Sequence, residues 1–488
     1  MPTLAQLLDS LPETQDVDAP AGAPAAALPD LMDALSLRPV PVGRMRRFGL
    51  LGTLQAKIAA AYAFYWIRGW FTSAAERERL LAETHWKSAA RVLDAMSYLR
   101  GAAMKVGQTL ANFPDIAPQA FVETLDQLHY DAPPMHWSLL AEKVRNELGD
   151  DPRNLFASFE QRAFAAASLG QVHRAVLRTG EDVVLKIQYP GIARTIREDW
   201  RNLLLFLLPS RLSKDWENVK EQADDLRRRL ELETDYEAEA ATLTAVRSLF
   251  HEDDGIVVPR VHPQFSTSRI LTMDRVRGVH LDEFVARGPT QEQRNEVAVR
   301  LVRAWYRMMY TGRLLYLDFH PGNIMVLDDG RVGLLDFGMM LPLNDELWNH
   351  FRVIDRALTT GRREDRIAAN ELWCDVDRDA WTSERVEITA AYADWCWRAR
   401  YCGGEFDFGD EADFREGVEL FGKMASRRYT RAQPCTPVIA RSHFGWRSLL
   451  YRLRAKFDIR PIAESEVKAT GWDRSDYADT RIEEGNLR

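Results

Sequence analysis

Cysteine is scarce: four residues in 488, at Cys374, Cys396, Cys402 and Cys435. None forms a C-x-x-C pair, which argues against a disulfide framework or a zinc site and for free thiols in a reducing compartment. Long apolar runs are missing too. No uninterrupted stretch reaches the roughly 18 residues that a spanning helix needs, so an integral membrane protein is not expected. The first residues lack the basic, apolar, small-residue order of a secretory signal. Positive charge is not in excess. The formal net charge of −8 gives no electrostatic basis for general nucleic-acid binding, and no nucleic-acid partner is expected. A cytoplasmic protein is the expectation. No internal repeat is visible, and a chain this long exceeds one hydrophobic core, so two or three structural units are expected.

What is present is organised around one run, Tyr316-Leu317-Asp318-Phe319-His320-Pro321-Gly322-Asn323, followed by Asp336-Phe337-Gly338. Asp318 and Asn323 have the D-x-x-x-x-N spacing of a phosphoryl-transfer loop, and Asp336 opens a D-F-G. Ile324 to Leu327 and Val332 to Leu335 flank Asp328-Asp329-Gly330, which predicts a hairpin with a D-G turn. Phosphoryl transfer asks a protein for an aligned acceptor, a divalent cation on the phosphates and fixed positive charge. Asp318 suits the first task. Asn323 and Asp336 offer a neutral and an anionic oxygen to a hard cation such as Mg²⁺. Gly338 lets the chain turn away directly after the ligand.

Upstream, Ala19 to Pro29 is low-complexity and broken by proline, as linkers are. Leu50 to Phe71 is aromatic with basic flanks, a pattern shared by interfacial helices and helices packed on their own protein. The helical stretch that follows ends in Lys105-Val106-Gly107-Gln108, with Lys105 and Gln108 neighbours on its surface. Trp137 to Leu148 reads as a helix closed by Gly149. Small residues Ala165-Ala166-Ala167-Ser168 precede one strand, and a turn at Gly180 leads to a second, Val183 to Tyr189. Alternation puts Val184 and Lys186 on one face, where a lysine could reach phosphates while Val184 touches a base. Glu217 to Phe250 is a long acidic helical stretch. At about 100° per residue Asp235 and Glu239 lie about 40° apart on it, while Glu233 points elsewhere. Gln291 to Gly312 predicts an amphipathic helix delivering the chain to the Asp318 loop. The sequence from Glu464 reads as a polar, frayed tail.

Taken together, these motifs resemble the UbiB/AarF family of atypical kinase-like proteins, from about Arg100 to Leu341. Lys105 to Gln108 resembles its K-x-G-Q motif and Ala165 to Ser168 its Ala-rich loop. Glu233-Thr234-Asp235 resembles its E-x-D, with the following E-A at Glu239-Ala240. Lys186 matches the nucleotide-binding lysine, Asp318 the catalytic aspartate, and Asn323 and Asp336 the metal ligands. Two residues depart from the usual loop: Tyr316 stands where His is common and Phe319 where Pro is common. The resemblance implies an α+β, two-lobed protein-kinase-like fold, mostly helical, that binds ATP and Mg²⁺. It also implies ATPase or kinase activity and support of quinone or other isoprenoid-lipid metabolism at membranes; the basic, aromatic stretch from Arg44 to Trp70 adds the expectation of peripheral attachment at the inner face of a membrane. Glu239 is implied as the partner of Lys186. Lys105, Gln108, Glu233 and Asp235 are implied to hold an N-terminal extension over the site.

The expected domains are a linker over 1–40, a helical extension over 41–150, an N-lobe over 151–277, a helical C-lobe over 278–457 and a polar tail over 458–488. Two other readings stay open. One is a small-molecule phosphotransferase of the aminoglycoside or choline kinase type, which would not need the K-x-G-Q and E-x-D elements. The other is a nucleotide-gated scaffold with little turnover.

Overall fold

The structure, a computed structural model, describes residues 137–167, 169–189, 234–360, 362–374, 382–426 and 436–472. Lys105, Gln108, Ser168, Glu233 and the aromatic stretch Leu50 to Phe71 lie outside these residues. The chain divides into two compact units, Met1–Asp235 and Tyr236–Arg488.

In the first unit, helix α1 (Trp137–Leu148) buries Leu140, Ala141 and Val144 along one stripe. It stops at Gly149, whose φ of +87° is a left-handed conformation that costs glycine little. Antiparallel strands follow: β1 (Ser158–Phe159), β2 (Ala165–Ala167), β3 (Gly170–Val176) and β4 (Asp182–Gln188). β3 pairs with all three others. The Ala-rich segment is thus itself a strand folded back on β3, with Ala165 opposite Val172 and Ala167 opposite Gly170. Gly170 has to be small, because a Cβ there would stand 2.2 Å from the Ile187 carbonyl oxygen. From Val183 to Gln188 every residue of β4 is buried. This accounts for its unbroken Val-Val-Leu run, the mark of a strand covered on both faces.

In the second unit, helix α2 (Tyr236–Arg247) buries Tyr236, Glu239, Leu243 and Val246, spaced three and four apart. Asp235 precedes this helix, so the expected helical angle between Asp235 and Glu239 does not apply. Aspartate is disfavoured inside helices and favoured just before them. Strands β5 (Ile256–Val257) and β6 (Ile270–Asp274) come next, then β7 (Val279–His280) and a short helix α3 (Leu281–Ala286). Helix α4 (Gln291–Tyr310) begins in a capping box between Thr290 and Gln293. Its first turns are amphipathic. From Ala304 to Tyr310 it buries Ala304, Trp305, Tyr306, Met308, Met309 and Tyr310, so its second half is enclosed nearly all round.

Strands β8 (Leu314–Tyr316), β9 (Ile324–Val326), β10 (Val332–Leu334) and β11 (Met340–Pro342) carry the motif run. β9 and β10 form the expected hairpin, with Val326 opposite Val332 and Gly330 at φ +81° in its turn. β10 also pairs in parallel with β5, and β9 pairs antiparallel with β7. Helices α5 (Asp345–Thr360), α6 (Arg363–Cys374), α7 (Ser383–Tyr401), α8 (Glu411–Ser426) and α9 (Thr436–Leu453) follow. Trp305 sits at the centre of their core, stacked on Trp446 at 5.2 Å and edge-on to His443 at 5.6 Å. Glu464 lies inside a further helix, α10 (Arg460–Ala469), rather than in a frayed tail. Its polar sequence hides one anchor: buried Glu466 takes a bidentate contact from Arg307 of α4, at 2.9 and 2.8 Å. Of the cysteines, Cys396 is a buried free thiol and Cys402 an exposed one. Burial pushes the Cys396 thiol up to about 12, so it is inert as a nucleophile.

Candidate active site

The second unit brings Asp318, Asn323, Asp336 and Gly338 together through one strand pair. β8 ends at Tyr316, two residues before Asp318, and β11 begins at Met340, two residues after Gly338. The two strands pair antiparallel with Tyr316 opposite Met340. Leu317 N donates to the Met339 carbonyl at 3.2 Å, and Leu335 N donates to the Asn323 carbonyl at 3.0 Å. These backbone bonds fix the D-x-x-x-x-N loop against the D-F-G turn.

The side chains complete the arrangement. Asn323 Nδ2 donates to Asp318 Oδ2 at 2.9 Å. That leaves the amide oxygen of Asn323 as the atom that could hold a cation, and it orients the Asp318 carboxylate. The His320 ring accepts from Gly322 N at 3.0 Å and shapes the tight turn Pro321–Asn323. Asp336 Oδ1 accepts from Gly338 N at 2.9 Å. A Cβ on Gly338 would lie 3.2 Å from that oxygen and 4.0 Å from the Glu239 carboxylate, so glycine here admits both acids to the turn. Asp318, Asn323 and Asp336 are half-buried, and Phe337 is buried. The donor set suits Mg²⁺, which takes one or two carboxylates, keeps waters and shares phosphate oxygens rather than filling an all-protein cage.

Helix α9 buttresses the loop, a role invisible in the motif itself. Ser442 Oγ donates to the Tyr316 carbonyl at 2.8 Å in a fully buried bond. Gly445, one turn on, lies against Phe319. A Cβ there would come within 2.9 Å of the ring and 3.1 Å of the Phe319 Cβ. The signal in the sequence is the glycine itself, which costs a helix about 1 kcal/mol against alanine and here has a packing reason. It also gives Phe319 a reason, since the bulky ring fills the groove that Gly445 opens. Gly445→Ala should therefore displace Phe319 and its neighbour Asp318, costing about 1–3 kcal/mol as overpacking does. The melting temperature should fall accordingly, and an unchanged value would separate α9 from the loop.

In the first unit the expected pair of strands on either side of Gly180 is also present. Ala165 of β2, Val172 of β3 and Lys186 of β4 form one cross-strand row. Val184, two residues before Lys186, shares its face and lies opposite Arg174. Lys186 is only 9% exposed. A lysine that deep in a strand needs anionic partners, whether from the protein or from a ligand. Ala166 pairs with Gln171, one step out of that row.

Comparison with known proteins adds to this geometry. A family model, the ABC1 atypical kinase-like domain, matches residues 127–364. The yeast mitochondrial atypical kinase COQ8 is 30% identical over 349 residues, covering 70% of this chain and 67% of that protein. Rat mitochondrial atypical kinase COQ8B is 30% identical over 344 residues, covering 70% of this chain and 64% of the relative's length. An uncharacterised Mycobacterium tuberculosis protein, Rv0647c, is 36% identical over 246 residues, covering 49% of this chain and 50% of its own. Among solved structures, Rv3197 of M. tuberculosis in complex with erythromycin superposes with a TM-score of 0.54 at 26% identity. It covers 81% of this chain and 100% of that one. The fold is accordingly kinase-like, with mixed helix and strand.

Proposed function

The chain belongs to the ABC1 family of atypical kinases, with the COQ8 proteins among its relatives, and on that premise we propose that it binds Mg-ATP and transfers or hydrolyses the terminal phosphoryl group. The observation that carries this reading is the joined geometry of Asp318, Asn323 and Asp336. Asp318, held by Asn323, accepts the proton of the attacking hydroxyl or water. Asn323 Oδ1 and the Asp336 carboxylate would hold Mg²⁺, which when bound neutralises charge on the phosphates. Lys186 supplies fixed positive charge to the phosphates, and the strand pair carrying Ala165 to Ala167 and Val184 covers the nucleotide. Support of quinone or other isoprenoid-lipid metabolism at a membrane surface is the physiological setting we propose, following the family resemblance. Among the described residues no helix is long and apolar enough to cross a membrane. ATP turnover by the full chain, measured with and without vesicles of anionic lipid and with candidate acceptors, tests the reading. Mg²⁺-dependent turnover supports it; no turnover under any of these conditions would favour a nucleotide-gated scaffold.

The same reading makes Glu239 the counter-charge of Lys186. Both are largely buried, at 5% and 9% exposure, and removing one member of a buried ion pair leaves the other charge uncompensated. Lys186→Ala and Glu239→Ala should then be strongly non-additive in nucleotide affinity, with a coupling of about 0.5–3 kcal/mol. Strict additivity in the double-mutant cycle would mean that the two act separately.

A further inference from the structure

The face of the first unit's sheet that carries Val184 and Lys186 extends one step further, to Arg174. β3 presents two unlike faces. On one, His173 and Ala175 are buried, and the His173 ring stacks on Phe159 at 5.5 Å. On the other, Val172, Arg174 and Val176 are half-buried, so this face is the more open one. Val172 lies opposite Lys186, and Arg174 opposite Val184. Two residues along a strand advance about 7 Å. With phosphates on Lys186, that step is about the length of a ribose. It brings the nucleoside half of the ligand to Val172, Val184 and Arg174.

Arg174 is held in a way that suits this task. Its guanidinium carbon lies 3.7 Å from the centre of the Phe164 ring. The backbone fixes that ring over the strand, because Phe164 N donates to the Val172 carbonyl at 2.7 Å. Phe164 is 45% exposed, so the stack stands at the open edge of the sheet and not in its core. A guanidinium stacks through its flat face and donates hydrogen bonds through its edge, so the stack orients the donors without consuming them. The ion pair of Arg174 with Glu160 does not take them up either. It is 3.9 Å long, beyond hydrogen-bond distance, and Glu160 is exposed.

We propose that Arg174 is a specificity-determining residue of the nucleotide site: its guanidinium, held flat on Phe164, donates to oxygen or nitrogen acceptors of the nucleoside, away from the phosphates. Lys186 then grips the polyphosphate end, and Arg174 reads the ligand as a nucleotide at the other. Lysine could not stand in for it, because an ammonium neither stacks flat nor presents a fixed fork of donors. The inference rests on the reading of Lys186 as the phosphate-binding lysine.

The test is titration calorimetry of Mg-ATP, and of Mg-tripolyphosphate, which lacks the nucleoside, into the full chain. The proteins are wild type, Arg174→Met, Arg174→Lys and Lys186→Ala. Arg174→Met should weaken ATP binding about 10-fold, the worth of one hydrogen bond from a charged donor, and leave tripolyphosphate affinity unchanged. Arg174→Lys should behave as Arg174→Met does. Unchanged ATP affinity in Arg174→Met overturns the proposal. So does an equal loss for both ligands, or recovery in Arg174→Lys, since Arg174 would then act as a general cation or through the fold. Failure of wild type to bind Mg-ATP removes the nucleotide-binding reading and this inference with it. ATP binding that Lys186→Ala weakens and Arg174→Met does not removes the inference alone.

Discussion

Asp318→Ala should lower ATP turnover by about 10²- to 10⁴-fold, the range over which a positioned general base acts, while leaving Mg-ATP affinity within a few-fold of wild type. The separation follows from the geometry. Asp318 contacts Asn323 through a single hydrogen bond, whereas the metal ligands assigned here are Asn323 and Asp336. Loss of the Asp318 carboxylate frees Asn323 Nδ2, but that group is half-buried and can turn to water, so the fold should not suffer. The backbone bonds from Leu317 to Met339 and from Leu335 to Asn323 hold the loop without the carboxylate. Steady-state turnover paired with nucleotide titration checks both halves. If Asp318→Ala lost nucleotide affinity in proportion to turnover, Asp318 would be a binding residue rather than a base.

Arg400→Met should be the most damaging single change to stability away from the site. Arg400 and Asp355 form an ion pair at 2.7 Å with side chains 4% and 0% exposed, and Arg400 also donates to the Tyr306 hydroxyl at 3.3 Å. Burial opposes the Arg400 charge, but Tyr306, Asp355 and Tyr310 outweigh it and hold the guanidinium protonated. Removing Arg400 leaves the Asp355 carboxylate enclosed without its cation, which costs about 3–5 kcal/mol. At about 2–4 °C per kcal/mol for a domain of 150–250 residues, the melting temperature should drop by roughly 6–20 °C. The effect should reach catalysis, because Tyr306 sits on α4 beside Trp305, whose neighbours cradle the loop. Asp355→Leu added to Arg400→Met should recover much of the loss, since an apolar pair of similar volume replaces a buried ion pair at little cost. A double variant no more stable than Arg400→Met would show that the pair acts through geometry rather than charge.

The chemistry of the site was far more legible in the sequence than its support. Asp318, Asn323 and Asp336 stand in short motifs with fixed spacing, and the hairpin between them announces itself by Asp329-Gly330. Turn chemistry is local, and local signals survive without a fold. The strand holding Val184 and Lys186 was visible for the same reason, although its burial on both faces was not. What escaped is non-local. Nothing near residue 316 says that Ser442 will hold its carbonyl or that Gly445 will receive Phe319. Those contacts join positions more than a hundred residues apart and depend on how helices pack. Glu466 illustrates the opposite error. Its polar surroundings suggested a solvated tail, yet one buried bidentate contact with Arg307 anchors a helix there. Tyr316 and Phe319, which depart from the usual loop, are in the structure residues through which the loop meets α9.

The most direct test of the account is titration calorimetry of ATP into the full chain, with and without Mg²⁺, for wild type and Asp336→Asn. Asparagine keeps the size of the side chain and an oxygen for the Gly338 N–H, but removes the anion from the proposed metal shell. Mg²⁺ should tighten ATP binding to wild type, and a folded Asp336→Asn should lose that gain. Equal Mg-ATP affinity in the two proteins, with Asp336→Asn melting as wild type does, would contradict it.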